Sequence, residues 1–123
     1  MKIYVACSSN WNFEEEFYNP IKNSSLNEEN ELFYPLDEEN KEIKSKDIIR
    51  ESDLVIVEAS ITATGVGIEL GWADCYNVPI LVLYKKGKKH SASLKFITNN
   101  FIEYEDEADM VNKIKKFIIE ESK

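Results

Sequence analysis

Two runs of apolar residues without alternation, at 54–57 ("LVIV") and 80–83 ("ILVL"), most constrain the fold of this chain. A strand with one solvated face alternates apolar and polar side chains, whereas these runs are typical of strands covered on both faces. Parallel sheets with helices on either side bury their strands in this way. The two runs therefore predict the centre of an α/β sandwich.

Further apolar runs and amphipathic segments extend this pattern along the chain. The predicted strands are 2–6, 32–35, 53–59, 79–84 and 100–104, and the predicted helices are 12–29, 43–52, 66–77 and 106–121. Pro20 would break the first helix unless Asn19 caps a new one there. The order β-α-β-α-β-α-β-β-α predicts an open sandwich with right-handed crossovers.

Length and charge limit the classes of function. The 123 residues suit one domain, 1–123, and a net charge of −8 disfavours a nucleic-acid polymer or an anionic membrane as partner. We expect a small molecule or another protein instead. Cys7, Cys75 and the single histidine have no disulfide or metal-ligand spacing, so a reduced, cytoplasmic setting without metal or cofactor is predicted. No apolar run is long enough for a signal peptide or a membrane span.

The segment 63–75, "ATGVGIELGWADC", lies where the third predicted strand leads into a helix. Ligands of open parallel sheets bind at such junctions. Gly65 and Gly67 permit a positive φ or a close approach of the backbone, and the first helical turn offers N–H groups to an oxygen-rich ligand. The dinucleotide fingerprint needs a third glycine and a position after the first strand, so an NAD site is disfavoured.

Glu69 follows one turn into this helix, which is apolar nearly all round. Residues 100° apart form two stripes, one of Val66, Leu70 and Ala73, the other of Ile68, Trp72, Cys75 and Tyr76. We expect the first stripe to cover the sheet and the second to pack against another subunit. Glu69 is then either an ordinary glutamate at a helix start, or a carboxylate in a cleft with little water, where it has a functional role or a bonding partner.

Five segments together resemble one family. They are "KIYVACSS", "DLVIVEAS", "GVGIELGWA", "VPILVLY" and "HSAS". They resemble the nucleoside 2-deoxyribosyltransferases and the related 2'-deoxynucleoside 5'-phosphate N-hydrolases. The resemblance implies a flavodoxin-like, five-stranded parallel sheet and active sites completed across the interface of a homodimer or higher oligomer. It also implies cleavage of the N-glycosidic bond of a (deoxy)nucleoside or nucleotide, with transfer to another base or to water.

The resemblance assigns three catalytic roles. Glu69 corresponds to the nucleophile, which forms a covalent glycosyl ester. Tyr4 corresponds to the tyrosine that orients the nucleophile, although a core aromatic is an equally good interpretation of that residue. Asp47 corresponds to the aspartate that binds the sugar or assists the leaving base, with Asp53 as the alternative.

The resemblance also implies residues that bind substrate. Ser8 matches a serine after the first strand, and Ser91, or Ser93 under a small shift, matches a residue lent by the neighbouring subunit to the 5' end of the sugar. Three positions depart from the family. Ala63 replaces an Asp or Ser, Cys7 replaces a glycine, and Asn10 replaces the phosphate-binding arginine of the hydrolases. Lys85, Lys86, Lys88 and Lys89 are candidate substitutes for that arginine.

Two other classes of function are open at this point. The first is a domain of the same fold that senses a nucleotide without turnover, which the loss of a polar group at Ala63 favours. The second is a flavin or phospho-acceptor protein, but "CSSNWN" is a poor phosphate loop, and Ala6 and Glu58 stand where clustered aspartates are needed. The presence of Tyr4, Asp47 and Glu69 together favours the enzyme.

Overall fold

The computed structural model describes residues 1–123 and contains one five-stranded sheet. All four strand pairings are parallel, in the order β2-β1-β3-β4-β5. The strands are β1 Lys2–Cys7, β2 Glu31–Phe33, β3 Leu54–Glu58, β4 Ile80–Lys85 and β5 Asn100–Tyr104. The five predicted strands and the open α/β arrangement are confirmed.

Five helices connect and cover the strands. They are α1 Asn19–Lys22, α2 Ser25–Glu29, α3 Ser45–Arg50, α4 Thr64–Cys75 and α5 Glu107–Glu121. A π-helical turn, Glu14–Tyr18, precedes α1, and short 3-10 turns occupy Glu38–Asn40 and Ala92–Phe96. None of these helices has the length and apolar character needed to cross a lipid bilayer.

The first predicted helix, 12–29, is divided into three pieces. A new helix begins at Asn19, but Asn19 is itself helical and does not cap it, so the predicted capping role is wrong. Pro20 lies in the first turn of α1, directly after the π-helical turn Glu14–Tyr18, and the helical path continues through it. The true break comes later, where the Ser24 side chain accepts a hydrogen bond from the N–H of Leu26 and starts α2.

Alternate residues of the strands supply two separate cores, one on each face of the sheet. The face covered by α1, α2 and α5 contains Ile3, Val5, Leu54, Ile56, Leu81 and Leu83. The face covered by α3 and α4 contains Tyr4, Ala6, Val55, Val57, Ile80 and Val82. Both faces of the central strands are buried, as their unbroken apolar runs predict. The same alternation places the Tyr4 side chain on the α3 and α4 face.

Helix α4 has one covered face and one open face. The predicted inner stripe, Val66, Leu70 and Ala73, is buried against the sheet. On the other stripe, Ile68 is 50% exposed and Cys75 is exposed, while Trp72 and Tyr76 are half-buried. The packing that we predict for this second stripe is a contact between subunits, so the structure of a single chain does not test it.

A buried polar cluster joins β3 to β5 at the carboxyl edge of the sheet. Glu58 is 1% exposed and accepts hydrogen bonds from the Ser60 N–H at 2.6 Å, the Ser60 hydroxyl at 3.0 Å and the Tyr104 hydroxyl. Ser60 Oγ in turn accepts from the N–H of Lys85 at 2.9 Å. Burial, followed by the contact with Glu58, raises the pKa of Tyr104 above its ordinary value. Three donors compensate Glu58 for its loss of water.

Candidate active site

A cavity of about 440 Å³ opens at the carboxyl edge of β1, between the start of α3 and the first two turns of α4. This volume is in the range of about 300–1,000 Å³ that is usual for small-molecule sites. Its sixteen lining residues are Cys7, Ser8, Ser9, Pro35, Leu36, Asn40, Lys41, Ile43, Lys44, Ser45, Ala63, Gly65, Val66, Ile68, Glu69 and Trp72. Glu69 is the only carboxyl side chain in this lining.

Glu69 and Tyr4 are joined by a hydrogen bond at this cavity. The Tyr4 hydroxyl donates to Glu69 Oε2, and its oxygen lies 2.7 Å from Ser45 Oγ. Tyr4 is fully buried, and its ring stacks on Phe33 with centroids 5.6 Å apart. Glu69 Oε1 accepts no hydrogen bond from the chain, so one carboxylate oxygen is held and the other is unengaged.

Burial shifts the acidity of this pair. Loss of water raises the pKa of Glu69 above 4.5, and the hydrogen bond from Tyr4 offsets part of that rise. The pKa of Tyr4 is raised by burial first and then by the adjacent Glu69 carboxylate. Burial, with Glu58 and Glu69 nearby, raises the pKa of the Cys7 thiol to about 12, so Cys7 is not a thiolate at neutral pH.

Comparisons with known proteins give a match in sequence and several similar folds. The chain is 41% identical over 51 residues to a Syntrophotalea carbinolica protein named "Putative 2'-deoxynucleoside 5'-phosphate N-hydrolase 1". This match covers 42% of the chain and 36% of the relative, so the chain spans about a third of the length of the curated relative that it matches. No family model matches the chain.

The solved structures agree over most of the chain. Clostridium botulinum CMP N-glycosidase, BcmB, superposes with a TM-score of 0.66 at 20% identity, covering 94% of this chain and 99% of that one. A conserved protein from Enterococcus faecalis V583 superposes with a TM-score of 0.61 at 18% identity, covering 94% and 98%. The chain shares the fold of these two structures. The predicted resemblance and the flavodoxin-like fold class are thereby confirmed.

The structure places Asp47 on the exposed side of α3. Its carboxylate pairs with Arg50 at 3.2 Å and does not line the Glu69 cavity, so the role that the resemblance implies for it stays a prediction. The residue of α3 that reaches Tyr4 is Ser45, because positions two apart on a helix face directions about 200° apart. The alternative, Asp53, lies at the opposite edge of the sheet, where it accepts a hydrogen bond from the N–H of Lys2 at 2.7 Å.

Ser8 lines the cavity, but its side chain already has a role in the loop. It is 1% exposed, and its Oγ accepts from the N–H of Asn10 at 3.0 Å. The Ser8 carbonyl accepts from the Trp11 indole N–H at 2.8 Å. Trp11 therefore fastens the loop that follows β1 and packs against the core.

The two glycines of the strand-helix junction lie on different cavities. Gly65 lines the Glu69 cavity, and Gly67 lines an adjacent apolar cavity of about 360 Å³. Neither glycine has a positive φ, so the first of the two interpretations, a positive φ, is wrong. An added Cβ would meet no atom within 4 Å at either glycine. Both positions thus leave open space beside the start of α4, which no side chain caps at Ala63.

Ser91 and Ser93 are not beside Glu69 within one chain. Both line the adjacent apolar cavity, and the Ser91 side chain accepts from the N–H of Ser93 at 3.3 Å. No titratable side chain lines that second cavity. Of these two neighbouring cavities, only the one that contains Glu69 is lined by titratable side chains.

Sequence reasoning missed five polar residues of the cavity: Ser9, Asn40, Lys41, Lys44 and Ser45. The four candidate lysines at 85–89 lie outside it, and two of them face Glu16 and Glu105 instead. The signal was the stretch 41–47, "KEIKSKD", which carries lysines and a serine into the start of α3. No group of three or more His, Cys, Asp or Glu residues is placed to hold a metal ion.

Proposed function

We propose that this chain cleaves the N-glycosidic bond of a (deoxy)nucleoside or nucleotide through a covalent glycosyl ester on Glu69. The observation that carries the proposal is the Glu69 carboxylate itself. It lines a cavity of about 440 Å³, Tyr4 holds one of its oxygens, and the other accepts no bond from the chain. The names of the sequence relative and of the CMP N-glycosidase neighbour support the same bond as the target.

The reaction then has two steps. In the first, a Glu69 oxygen attacks C1' of the sugar, an ester bond forms, and the electron pair of the N-glycosidic bond leaves with the base. In the second, water or another base attacks C1' and releases the Glu69 carboxylate, so the configuration at C1' is retained. When water is the acceptor, its proton is lost to solvent as the sugar is released.

The leaving base has no carboxylic acid to protonate it. Retaining glycosidases usually place two carboxyl groups about 5–5.5 Å apart, one as nucleophile and one as acid. Glu69 is alone in its cavity, so it serves as nucleophile, and the base takes its proton from water or from a cavity lysine. Lys41 and Lys44 are the cationic side chains there, and they also suit a phosphate group on the substrate.

The test is a panel of nucleosides, deoxynucleosides and their 5'-monophosphates, with and without a free acceptor base. Liquid chromatography measures the released base. Release without acceptor indicates hydrolysis, and exchange only with acceptor indicates transfer. Binding by calorimetry with no turnover on any member of the panel would contradict the catalytic proposal and favour a nucleotide sensor.

The pH dependence of turnover follows from Glu69. A nucleophilic carboxylate must be ionised, and burial raises the Glu69 pKa above 4.5, so kcat/KM falls with decreasing pH around a midpoint above 4.5. The other titratable groups that line the cavity or touch Glu69 are Tyr4, Cys7, Lys41 and Lys44. The pKa values of Tyr4 and Cys7 are raised, so both stay protonated over this range. A midpoint at or below 4.5 contradicts a desolvated nucleophile.

We also propose that two copies of the chain associate through the open stripe of α4. That association would bring Ser91 of a neighbour toward the substrate, as the family resemblance implies. Ile68 is 50% exposed on this stripe, beside the half-buried Trp72, and both line the mouth of the Glu69 cavity. Apolar surface of this kind is stabilised by burial against a second copy.

Ile68→Glu tests this association. A charge in the centre of an apolar interface carries a large desolvation cost, so the variant should sediment at the monomer mass of 14.3 kDa while the wild type is larger. Trp72 is a poorer site for this test because it also packs against the α4 core. Ile119→Glu is the matched control, since Ile119 is 60% exposed on α5. A wild type that sediments at 14.3 kDa contradicts the proposal.

A further inference from the structure

The Ser45 side chain makes its hydrogen bond outside its own helix, and it does not cap that helix, because Lys44 holds the N-cap position. Serines at N-cap positions accept a hydrogen bond from a backbone N–H of the first turn. Ser24 and Ser91 in this chain do so. Ser45 is the first residue of α3, but its Oγ bonds no backbone group and lies 2.7 Å from the hydroxyl of Tyr4, on a different element.

The direction of this bond follows from proton count. A phenol carries one hydrogen, and the Tyr4 hydroxyl gives it to Glu69 Oε2. The Ser45 hydroxyl is therefore the donor to the Tyr4 oxygen. A donor at that oxygen stabilises its negative charge, in agreement with Ser45 acting to lower the pKa of Tyr4. The three groups form a chain in which each bond polarises and strengthens the next.

The only freedom left to Tyr4 is rotation of its O–H bond. The ring is fully buried and stacked on Phe33, so it cannot move away from Glu69. The O–H rotor is set by what its oxygen accepts. A donor at Ser45 fills one lone-pair direction and leaves the proton directed at Glu69.

We propose that Ser45 is a positioning residue for Glu69, acting through Tyr4. This inference rests on the proposed function of the Glu69 site and names a residue that the family resemblance does not assign. Ser45 keeps the Tyr4 O–H bond directed at Glu69 Oε2, so the carboxylate is held in one orientation with Oε1 unengaged. Its contact with Glu69 runs through the Tyr4 hydroxyl.

Ser45→Ala should lower kcat about fivefold to tenfold, as loss of one hydrogen bond does, and leave KM within about twofold. Ser45→Thr, which keeps the hydroxyl, should restore most of the rate. Ser45→Cys, whose thiol is a weak donor of similar size, should give an intermediate rate. Circular dichroism checks that the variants fold. A rate equal to wild type in Ser45→Ala, or a rise in KM alone, overturns the proposal.

A double-mutant cycle separates positioning from a merely structural effect. In a Tyr4→Phe background the acceptor of the Ser45 bond is gone, so Ser45→Ala should lower kcat no further. If Ser45→Ala has the same effect with and without the Tyr4 hydroxyl, Ser45 does not act through Tyr4. That result also overturns the proposal.

A second arm does not depend on turnover. Titration of the side-chain carboxyl carbons by NMR, with Glu69→Gln to assign the Glu69 resonance, should show a higher Glu69 pKa in Ser45→Ala, because a weaker bond from Tyr4 stabilises the carboxylate less. The substitution leaves in place the other titratable residues that line this cavity, which are Cys7, Lys41 and Lys44. An unchanged Glu69 pKa overturns the Ser45 proposal. A raised Glu69 pKa in a protein without turnover on any substrate would show that the proposed function fails and the Ser45 bond stands.

Discussion

Glu69→Gln should reduce turnover by at least about a thousandfold, because loss of a covalent nucleophile removes the pathway rather than one contact within it. The substitution keeps the size of the side chain and an oxygen that accepts from Tyr4, so the cavity is preserved. Initial rates on the best substrate of the nucleotide panel measure the effect. Mass spectrometry of wild type under rapid quench should find the glycosyl ester, which Glu69→Gln lacks.

Two control variants make this result specific. Asp74→Asn removes an exposed carboxylate from the same helix, and its rate should stay within about twofold of wild type. Asp47→Asn tests the catalytic role that the resemblance implies for Asp47, since the structure places that carboxylate outside the cavity, against Arg50. More than about a tenth of wild-type activity in Glu69→Gln contradicts the assignment of the nucleophile.

The same variant should not lose stability at neutral pH. Burial raises the folded pKa of Glu69 above 4.5, so ionising it costs free energy that appears as pH rises from about 4.5 through the raised value. Glutamine stays neutral and avoids this cost. The melting temperature of Glu69→Gln at pH 7 should therefore equal or exceed that of wild type, with the difference shrinking at pH 4.

Tyr104→Phe should destabilise the fold by about 1–3 kcal/mol, the cost of removing one donor from a buried polar group. Tyr104 is 3% exposed and donates to Glu58, which is itself 1% exposed and has Ser60 as its only other donor residue. The bond ties the edge strand β5 to β3 across β4. Urea unfolding followed by circular dichroism measures the change in the free energy of unfolding.

Tyr84→Phe is the matched control for Tyr104. Tyr84 lies on β4, is half-buried, packs its ring on His90 at 4.8 Å, and its hydroxyl makes no hydrogen bond with the chain. Its removal should change the free energy of unfolding by no more than about 0.5 kcal/mol. Equal effects of the two substitutions would mean that the Glu58 cluster contributes nothing beyond ring packing.

The candidate site was only partly predictable from sequence. Glu69 stands in a distinctive strand-to-helix segment and Tyr4 in the first strand, and the structure brings the two together on the sheet face covered by α3 and α4. The position of Asp47 could not be predicted, because two residues along a helix turn a side chain by about 200°, and the structure places this carboxylate on the exposed side of α3, against Arg50. The resemblance favoured a carboxylate there, whereas Ser45 occupies the contact.

The sequence by itself determined the class of fold, the inner stripe of α4 and the glutamate beside it, because those depend on local periodicity and on the uninterrupted apolar strands 54–57 and 80–83. Only the tertiary structure decided which polar groups meet: Ser45 with Tyr4, Glu58 with Tyr104, and Lys41 and Lys44 with the cavity of Glu69. Such contacts join residues tens of positions apart. They depend on the length of each strand and helix and on where the chain turns. The periodicity within a single segment does not contain that information.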